Sequence, residues 1–259
     1  MVNKNLTNQR SQAGFTLVEL AIVMIIIGLL IGGILKGQEL IANAQVTATA
    51  SQIKAYEAAM TTFRDSYDAV PGDMAAPGAR LPNCTVAPCS AVGSGNNRLD
   101  QTPEAVATAP GVGAAEASRF FIHLAAADLI GGVDYTSVAI GTWGGALPAA
   151  EIGGGFVPGY AANAAALIGS VAATANAGHY LSMRATGTTA IAASNANAPL
   201  KPTQAARVDR KLDDGLAISG SVLGAGALAG AGAGNCATAA GIYNEALGSI
   251  ECQLYARIQ

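Results

Sequence analysis

The amino-acid sequence predicts an α+β fold in which one long N-terminal helix packs on a small antiparallel β-sheet. Three observations predict it. An apolar stretch long enough to cross a membrane occupies residues 15–35. An amphipathic helical pattern continues from it as far as residue 67. Short strand-like segments separated by turn residues follow in the C-terminal half, and they predict a sheet lying over the long helix.

The chain is rich in small residues and poor in charged ones. Of its 259 residues, 51% are hydrophobic, 12% are charged and 32 are glycines, so we expect one head domain with an appendage. Fourteen Lys and Arg against 17 Asp and Glu give a formal net charge of -3, with no evident basic cluster. Nucleic acid is therefore not an expected partner.

Residues 1–14 form a polar leader that carries Lys4, Arg10 and no acidic residue, which favours a cytoplasmic position for this end. The apolar run FTLVELAIVMIIIGLLIGGIL follows, and ~20 such residues cross a hydrocarbon core as a helix. We assign 15–36 to the membrane-spanning half of the long helix. An ordinary secretory signal is cleaved after its apolar region. Here the small residue, Gly14, precedes it, so cleavage there would remove the leader and keep the anchor.

The stretch GFTLVE at 14–19, followed by the long apolar run, resembles the prepilin cleavage and methylation signature of type IV pilins and type II secretion pseudopilins. The resemblance implies that a prepilin peptidase cleaves after Gly14 and methylates the new amino terminus at Phe15. It also implies a type IV pilin-like fold, with the hydrophobic half of the helix protruding from a globular head.

Glu19 is the one charge inside the apolar run. A carboxylate in such a segment costs ~2.5 to 3.5 kcal/mol on translocon scales, so it normally has a partner or a function. We expect no partner within its own helix. After cleavage, the free amine of Phe15 of a neighbouring subunit would lie at nearly the same depth, and the pair would set the register of stacked helices. The family resemblance implies the same role, and a plain signal anchor is the alternative.

Gly28 with Gly32, and Gly33 with Gly37, form small-x-x-x-small steps that let helix backbones approach closely. Each glycine also weakens the helix by ~1 kcal/mol relative to Ala. Close packing in a filament core and local melting during extraction from the bilayer both fit. Filaments of the resembled family show such unwinding, which favours a mixture of the two.

Residues 37–70 form the amphipathic half of the helix. Apolar side chains recur there at spacings of 3, 4, 3 and 4, at Ile53, Tyr56, Met60, Phe63 and Tyr67. Pro71, in the segment VPGDM, ends the helix by turn chemistry. The stripe predicts packing against a head rather than a cofactor site.

We assign 71–259 to that globular head. The pattern predicts a second helix within 113–130, a turn at 213–215, and strands near 179–184, 216–223 and 250–258. The segments at 63–74 and 208–220 resemble pilin and pseudopilin segments at the end of the long helix and near the C-terminal end of the sheet. We interpret the glycine-rich stretch 224–234 as a surface loop, because it lacks the spacing of a nucleotide-binding loop.

Metal sites are not expected. His123 and His179 lack the spacing of metal ligands, and His123 fits a helix-surface or core position. Some major pseudopilins hold calcium through acidic loops, so Asp209, Asp213 and Asp214 are weak calcium candidates by resemblance. Three acids are few for a calcium site, and Asp-Asp-Gly is a good turn without metal.

The four cysteines lie in the part of the chain that the leader places outside the inner membrane, where disulfides form. Three pairings are possible, and short loops favour Cys84 with Cys89 and Cys236 with Cys252. The second pair resembles the C-terminal disulfide loop of pilins. A zinc site of four cysteines is the alternative, although the paired C-x-x-C spacing is missing.

These features predict a structural subunit of a type IV pilus-like filament, not an enzyme, with no cofactor. Its expected partners are further copies of itself, the prepilin peptidase, the membrane, an inner-membrane platform protein and an assembly ATPase. The precursor would cross the inner membrane once, with a cytoplasmic N-terminus, and later join a periplasmic or cell-surface filament. A type II secretion pseudopilin and a membrane-anchored periplasmic binding protein or enzyme are the alternatives.

Overall fold

The computed structural model describes residues 16–103, 116–138, 140, 143–162, 176–187, 197–226, 236–238 and 240–258. The helices are α1 (Leu17–Tyr67), α2 (Pro77–Arg80), α3 (Glu116–Ala126) and α4 (Pro202–Leu212). The strands are β1 (Gly155–Ala161), β2 (Gly178–Arg184), β3 (Val222–Ala225) and β4 (Gln253–Arg257). They form one antiparallel sheet in the order β1-β2-β4-β3. The predicted α+β, type IV pilin-like fold is confirmed.

The chain divides into two compact units, Met1–Asn43 and Ala44–Gln259. In the first unit the large apolar side chains of α1 are exposed, and the exposed fraction of Leu17 is 84%. The length and composition of α1 suit a membrane-crossing helix. Leu40 and Ile41 are also exposed, so the bare apolar surface extends past the predicted boundary at residue 36.

The core of the second unit forms around the apolar stripe of α1. Met60 and Phe63 are buried, and the ring of Tyr56 meets Phe121 and Phe156 edge-on at centroid distances of 5.1 and 5.5 Å. Phe121 belongs to α3 and Phe156 to β1. The 3-4 spacing therefore marks the helix face that packs on the head, as the sequence predicted.

Two polar side chains of α1 also hold the segment that precedes β1. The amide of Gln52 donates to the Ala149 carbonyl at 3.3 Å and accepts from the Glu151 N–H at 3.2 Å. The hydroxyl of Thr49 accepts from the Ile152 N–H at 3.1 Å. These bonds satisfy backbone groups of a segment that lies outside the four strands and is joined to β1 by a single antiparallel bridge, between Ala149 and Gly155.

The second predicted helix is shorter than expected. It ends at Ala126, whereas the sequence predicted a helix as far as residue 130. Asp128 adopts a left-handed conformation, with φ of 58°, and the Leu129 N–H bonds back to the Leu124 carbonyl at 3.0 Å. An aspartate thus occupies the left-handed position after the helix, where glycine is more usual. Residues 113–115 lie outside the described residues.

The region 208–220 differs in part from the prediction. Residues 208–212 complete α4, and the predicted turn at 213–215 follows them. The predicted strand at 216–223 reduces to β3 at Val222–Ala225. Asp214 accepts from the Leu216 N–H at 2.9 Å and from the Ser219 hydroxyl at 2.5 Å, which folds these residues into a turn. The sequence did not predict α4 or β1. The glycine-rich stretch begins within β3, and its residues 227–234 lie outside the described part.

Phe63→Ala should lower the free energy of unfolding of the full chain by about 3–5 kcal/mol, because it removes a fully buried ring and leaves a cavity. Unfolding in detergent, followed by near-ultraviolet circular dichroism, measures it. Thr62→Ala, on the exposed side of α1, is the control and should change stability little. A loss below about 1 kcal/mol for Phe63→Ala would show that the stripe is not the main docking face.

Candidate functional site

The first turn of α1 contains the acidic residue of the apolar run. Gly14 and Phe15, the predicted cleavage and methylation residues, lie outside the described residues. Thr16 precedes the helix, and its N–H and hydroxyl both donate to Oε2 of Glu19, at 2.9 and 2.8 Å. The Glu19 N–H in turn donates to the Thr16 hydroxyl at 3.2 Å. This reciprocal pattern is a capping box.

The capping box corrects the expectation that Glu19 has no partner within its own helix. The signal was present in the sequence as Thr-x-x-Glu, which satisfies otherwise unbonded donors of the first turn. Both bonds from Thr16 use Oε2. Within the described part of the chain, Oε1 accepts no hydrogen bond, so this oxygen can receive a cationic donor from outside.

The glycines of the apolar half have no packing role within the described subunit. A Cβ added at Gly28, Gly32, Gly33 or Gly37 would meet no described atom within 4 Å, apart from the helix's own nearby backbone. Ala would fit each position and favour the helix by ~1 kcal/mol. Contacts among the described residues therefore do not explain these glycines.

The four cysteines form two disulfides, Cys84–Cys89 and Cys236–Cys252, with S–S distances of 1.99 and 1.95 Å. All four residues are buried. The second bridge closes a loop whose end is also held by backbone bonds in both directions between Leu200 and Cys252, at 3.1 and 2.9 Å. Cys252, just before β4, is thus joined covalently to Cys236 and by hydrogen bonds to Leu200.

His123 is a core histidine, which agrees with one of the two positions predicted for it. Its Nδ1 accepts from the Gly72 N–H at 2.9 Å, so Nε2 carries the proton and donates to the Cys89 carbonyl at 3.1 Å. Burial lowers the pKa of His123 to about 4, and the charge of Arg119 acts in the same direction. Gly72, with φ of 90°, has no room for a Cβ beside the Glu116 carbonyl. The neutral imidazole joins the turn after α1 to the first disulfide.

The weak calcium candidates do come together, because one oxygen of each of Asp209, Asp213 and Asp214 lies within 4.8 Å of the others. Each carboxylate is also used within the fold. Asp209 accepts from the Tyr243 hydroxyl at 2.8 Å, and Asp213 accepts from the Val222 N–H at 3.2 Å. Burial raises the pKa of Asp209 to about 6 despite the bond from Tyr243. The cluster is a hydrogen-bonded turn at the end of α4.

Sequence reasoning missed two buried carboxylates that organise the loop after the first disulfide. Asp73 accepts from the Gly95 N–H at 2.6 Å and from the Ser94 hydroxyl at 2.9 Å. Glu116 accepts from the Ser94 N–H at 2.6 Å and from the Asp100 N–H at 2.9 Å. Burial raises the pKa of Glu116, and the charges of Asp73 and Asp100 add to the effect. The sequence hint of this arrangement was Asp73, an aspartate in the turn segment VPGDM.

Comparison with family models finds the prokaryotic N-terminal methylation motif at residues 9–35. This motif is the signature of type IV pilins and pseudopilins, so the resemblance drawn from GFTLVE is confirmed. Comparison with curated proteins and with solved structures finds no match. The motif covers residues 9–14 of the predicted leader and the apolar run as far as residue 35, so the match says nothing of the head.

His123 should make stability depend on pH. Its folded pKa of about 4 lies below the usual 6.5, so the unfolded chain binds its proton first as the pH falls. The contribution is complete above pH 6.5 and is lost as the pH falls towards 4, by up to ~3 kcal/mol. Unfolding of the full chain in detergent between pH 7 and 4.5 measures it, with His123→Gln as the non-titrating comparison. Equal slopes for both proteins would contradict the assignment.

Proposed function

We propose that this chain, which carries the type IV pilin and pseudopilin signature, is the structural subunit of a type IV pilus-like filament. A prepilin peptidase cleaves it after Gly14 and methylates Phe15, and the subunits assemble by packing their N-terminal helices. The observation that carries the proposal is Glu19, a half-satisfied carboxylate in a helix whose apolar side chains are exposed.

The precursor is anchored by the apolar half of α1, with its leader on the cytoplasmic side. The apolar surface between Leu17 and Ile41 is compatible with lipid before assembly and with other copies of the same helix afterwards. The four glycines fit this exchange. They permit close approach between helices, and no described residue of the same chain approaches them.

Glu19 sets the register in this proposal. Its Oε2 is held by Thr16, and its Oε1 receives the Phe15 amine of a neighbouring subunit. An unpaired carboxylate among packed apolar helices is strongly unfavourable. A copy at the wrong height therefore loses the ion pair and also leaves a buried charge without a partner. Processing is a precondition, because the amine exists only after cleavage.

The proposed processing and assembly proteins are inferred from the N-terminal signature and not from the structure of the head. The peptidase acts on residues 14 and 15, and a platform protein and an assembly ATPase extract the subunit into a periplasmic or surface filament. A type II secretion pseudopilin shares the motif and is the second candidate. Proteins with this motif are typically structural. A membrane-anchored binding protein or enzyme is therefore disfavoured, and assays of the protein for hydrolysis or ligand binding test it.

Glu19→Ala should leave membrane insertion and processing intact and reduce filament yield tenfold or more, since losing ~1.4 kcal/mol per contact already gives a factor of ten. Sheared filaments are quantified by immunoblot, and the N-terminus of the processed chain is read by mass spectrometry. Glu151→Ala, which makes the same change in charge at an exposed position of the head, is the matched control. Normal filament yield from Glu19→Ala, or native filaments whose chains begin at Met1, would overturn the proposal.

Thr16→Val should reduce filament yield less than Glu19→Ala, because it removes the hydroxyl that orients the carboxylate and keeps the backbone N–H bond. Thr16→Ser retains the hydroxyl and should restore the yield. Mass spectrometry must show equal processing of both variants, since Thr16 lies close to the cleavage position. Equal yields for Val and Ser would show that the capping hydroxyl has no part in assembly.

A further inference from the structure

A cavity of about 440 Å³ opens beside the C-terminal end of α1. Its volume lies within the range of ~300 to 1,000 Å³ that is usual for small-ligand sites. Most such sites are lined mainly by apolar side chains, whereas five of the six residues here are polar or charged. We call this space the helix-end cavity. Its lining residues are Thr61, Arg64, Asp65, Asp68, Ala69 and Asn97.

Both signs of charge face the helix-end cavity without neutralising each other. Within the part of the chain that the structure describes, the side chains of Arg64, Asp65 and Asp68 form no ion pair or hydrogen bond. The same holds for the side-chain amide of Asn97. A guanidinium offers five N–H donors, a carboxylate only acceptors, and an amide both. All of this hydrogen-bonding capacity is therefore available to a ligand.

The charged side of the helix-end cavity is fixed at the end of α1. The Asp68 N–H donates to the Arg64 carbonyl at 2.8 Å, which continues the helical bonding by one residue. The Arg80 guanidinium donates to the carbonyl of Tyr67, next to Asp68 in the chain. Arg80 thus adds a second positive charge near the carboxylates of Asp65 and Asp68. Charges of both signs balance here, so the surroundings favour neither a simple cation nor a simple anion.

A second wall of the helix-end cavity comes from the loop that carries Asn97. Asp73, which is buried, accepts from the Gly95 N–H at 2.6 Å and from the Arg98 N–H at 3.2 Å, on either side of Asn97 in the chain. Asn97 itself adopts a left-handed conformation, with φ of 62°. Its amide is thus carried by a backbone that is held on both sides. Such preorganisation lowers the entropic cost of binding a ligand.

We propose that the helix-end cavity binds a small zwitterion, whose ammonium group is received by Asp65 and Asp68 and whose acidic group is received by Arg64. A ligand with both signs of charge makes charge-assisted hydrogen bonds to both sets of side chains at once. A single ion leaves one of the two sets without a partner. The amide of Asn97 provides neutral hydrogen bonds to the rest of the ligand. The site lies in the head, and neither the N-terminal signature nor the proposed filament requires it.

Other classes of ligand fit the helix-end cavity less well. Ala69 is the one apolar residue in its lining, so an apolar molecule would displace water from polar groups without replacing the hydrogen bonds. A calcium ion takes about six to eight oxygen ligands, and the guanidinium of Arg64 would repel it. A free phosphate would meet the carboxylates of Asp65 and Asp68. Only a ligand that carries both charges avoids these penalties.

The test titrates the isotope-labelled full chain, in a nonionic detergent, with O-phosphoethanolamine as the probe. Ethanolamine and inorganic phosphate are its two halves, and each carries one sign of charge. We expect the probe to shift the amide NMR signals of Asp68 and Asn97. It should bind about tenfold or more tightly than either half, because it gains a second set of hydrogen bonds to charged groups.

Two substitutions assign the ends of the ligand. Asp68→Asn keeps a residue that accepts the left-handed φ of 46°, and it should weaken the probe and ethanolamine about tenfold but not phosphate. Arg64→Gln should weaken the probe and phosphate but not ethanolamine. Asp128→Asn is the matched control, since Asp128 is an exposed aspartate that follows α3 with φ of 58° and does not line the cavity. It should leave all three affinities unchanged.

The proposal is overturned by any of three results. These are the absence of shifts at Asp68 and Asn97 at millimolar probe, equal affinity for the probe and its halves, and losses that Asp128→Asn reproduces. Micelles doped with phosphatidylethanolamine identify the source of the zwitterion. Displacement of the probe by these micelles assigns the ligand to a lipid headgroup, and retention of the probe assigns it to a free solute. Both outcomes support a zwitterion site.

Discussion

A carboxylate within an apolar helix must be hydrogen-bonded or paired, and the first turn of α1 meets this requirement only in part. Thr16 satisfies Oε2 of Glu19 and caps the helix at the same time, while Oε1 receives no bond from the described residues. The isolated chain is therefore incomplete at this point. The exposed apolar side chains that follow are incomplete in the same sense, because lipid or another helix has to cover them. In the proposed function, lipid covers this surface in the precursor and other copies of the helix cover it in the filament.

The head serves this helix by holding its second half firmly. Aromatic rings from α3 and β1 pack on the apolar stripe of α1, and Thr49 and Gln52 hold the segment before β1 by hydrogen bonds. The opposite face is largely exposed, although the Lys211 ammonium of α4 donates to the Thr47 hydroxyl there at 3.0 Å. The helix thus has a buried apolar face and a largely polar exposed face, and the division follows from the 3-4 spacing of its apolar side chains.

Buried polar groups do much of the organising in a head with few large side chains. His123 joins the turn after α1 to the first disulfide, and Asp73 and Glu116 gather backbone N–H groups of the next loop. Loops of small residues cannot be held by apolar burial alone, so carboxylates, one imidazole and two disulfides replace it. Such groups stabilise a loop only while every buried donor and acceptor is matched.

The sequence by itself determined the features that depend on local order: the apolar run with Glu19, the length of α1 and its 3-4 stripe. Periodicity and charge are local, and no distant residue is needed to read them. Only the tertiary structure decided that residues 208–212 are helical and that β1 exists. It also decided that Asp73 and Glu116 accept hydrogen bonds from the same loop. β1 contains two glycines and a proline, which are disfavoured in strands, so its pairing with β2 and not its local preference selects its conformation. The capping box lies between these cases, since Thr-x-x-Glu was legible but acquired its meaning only when the helix was seen to begin at Leu17.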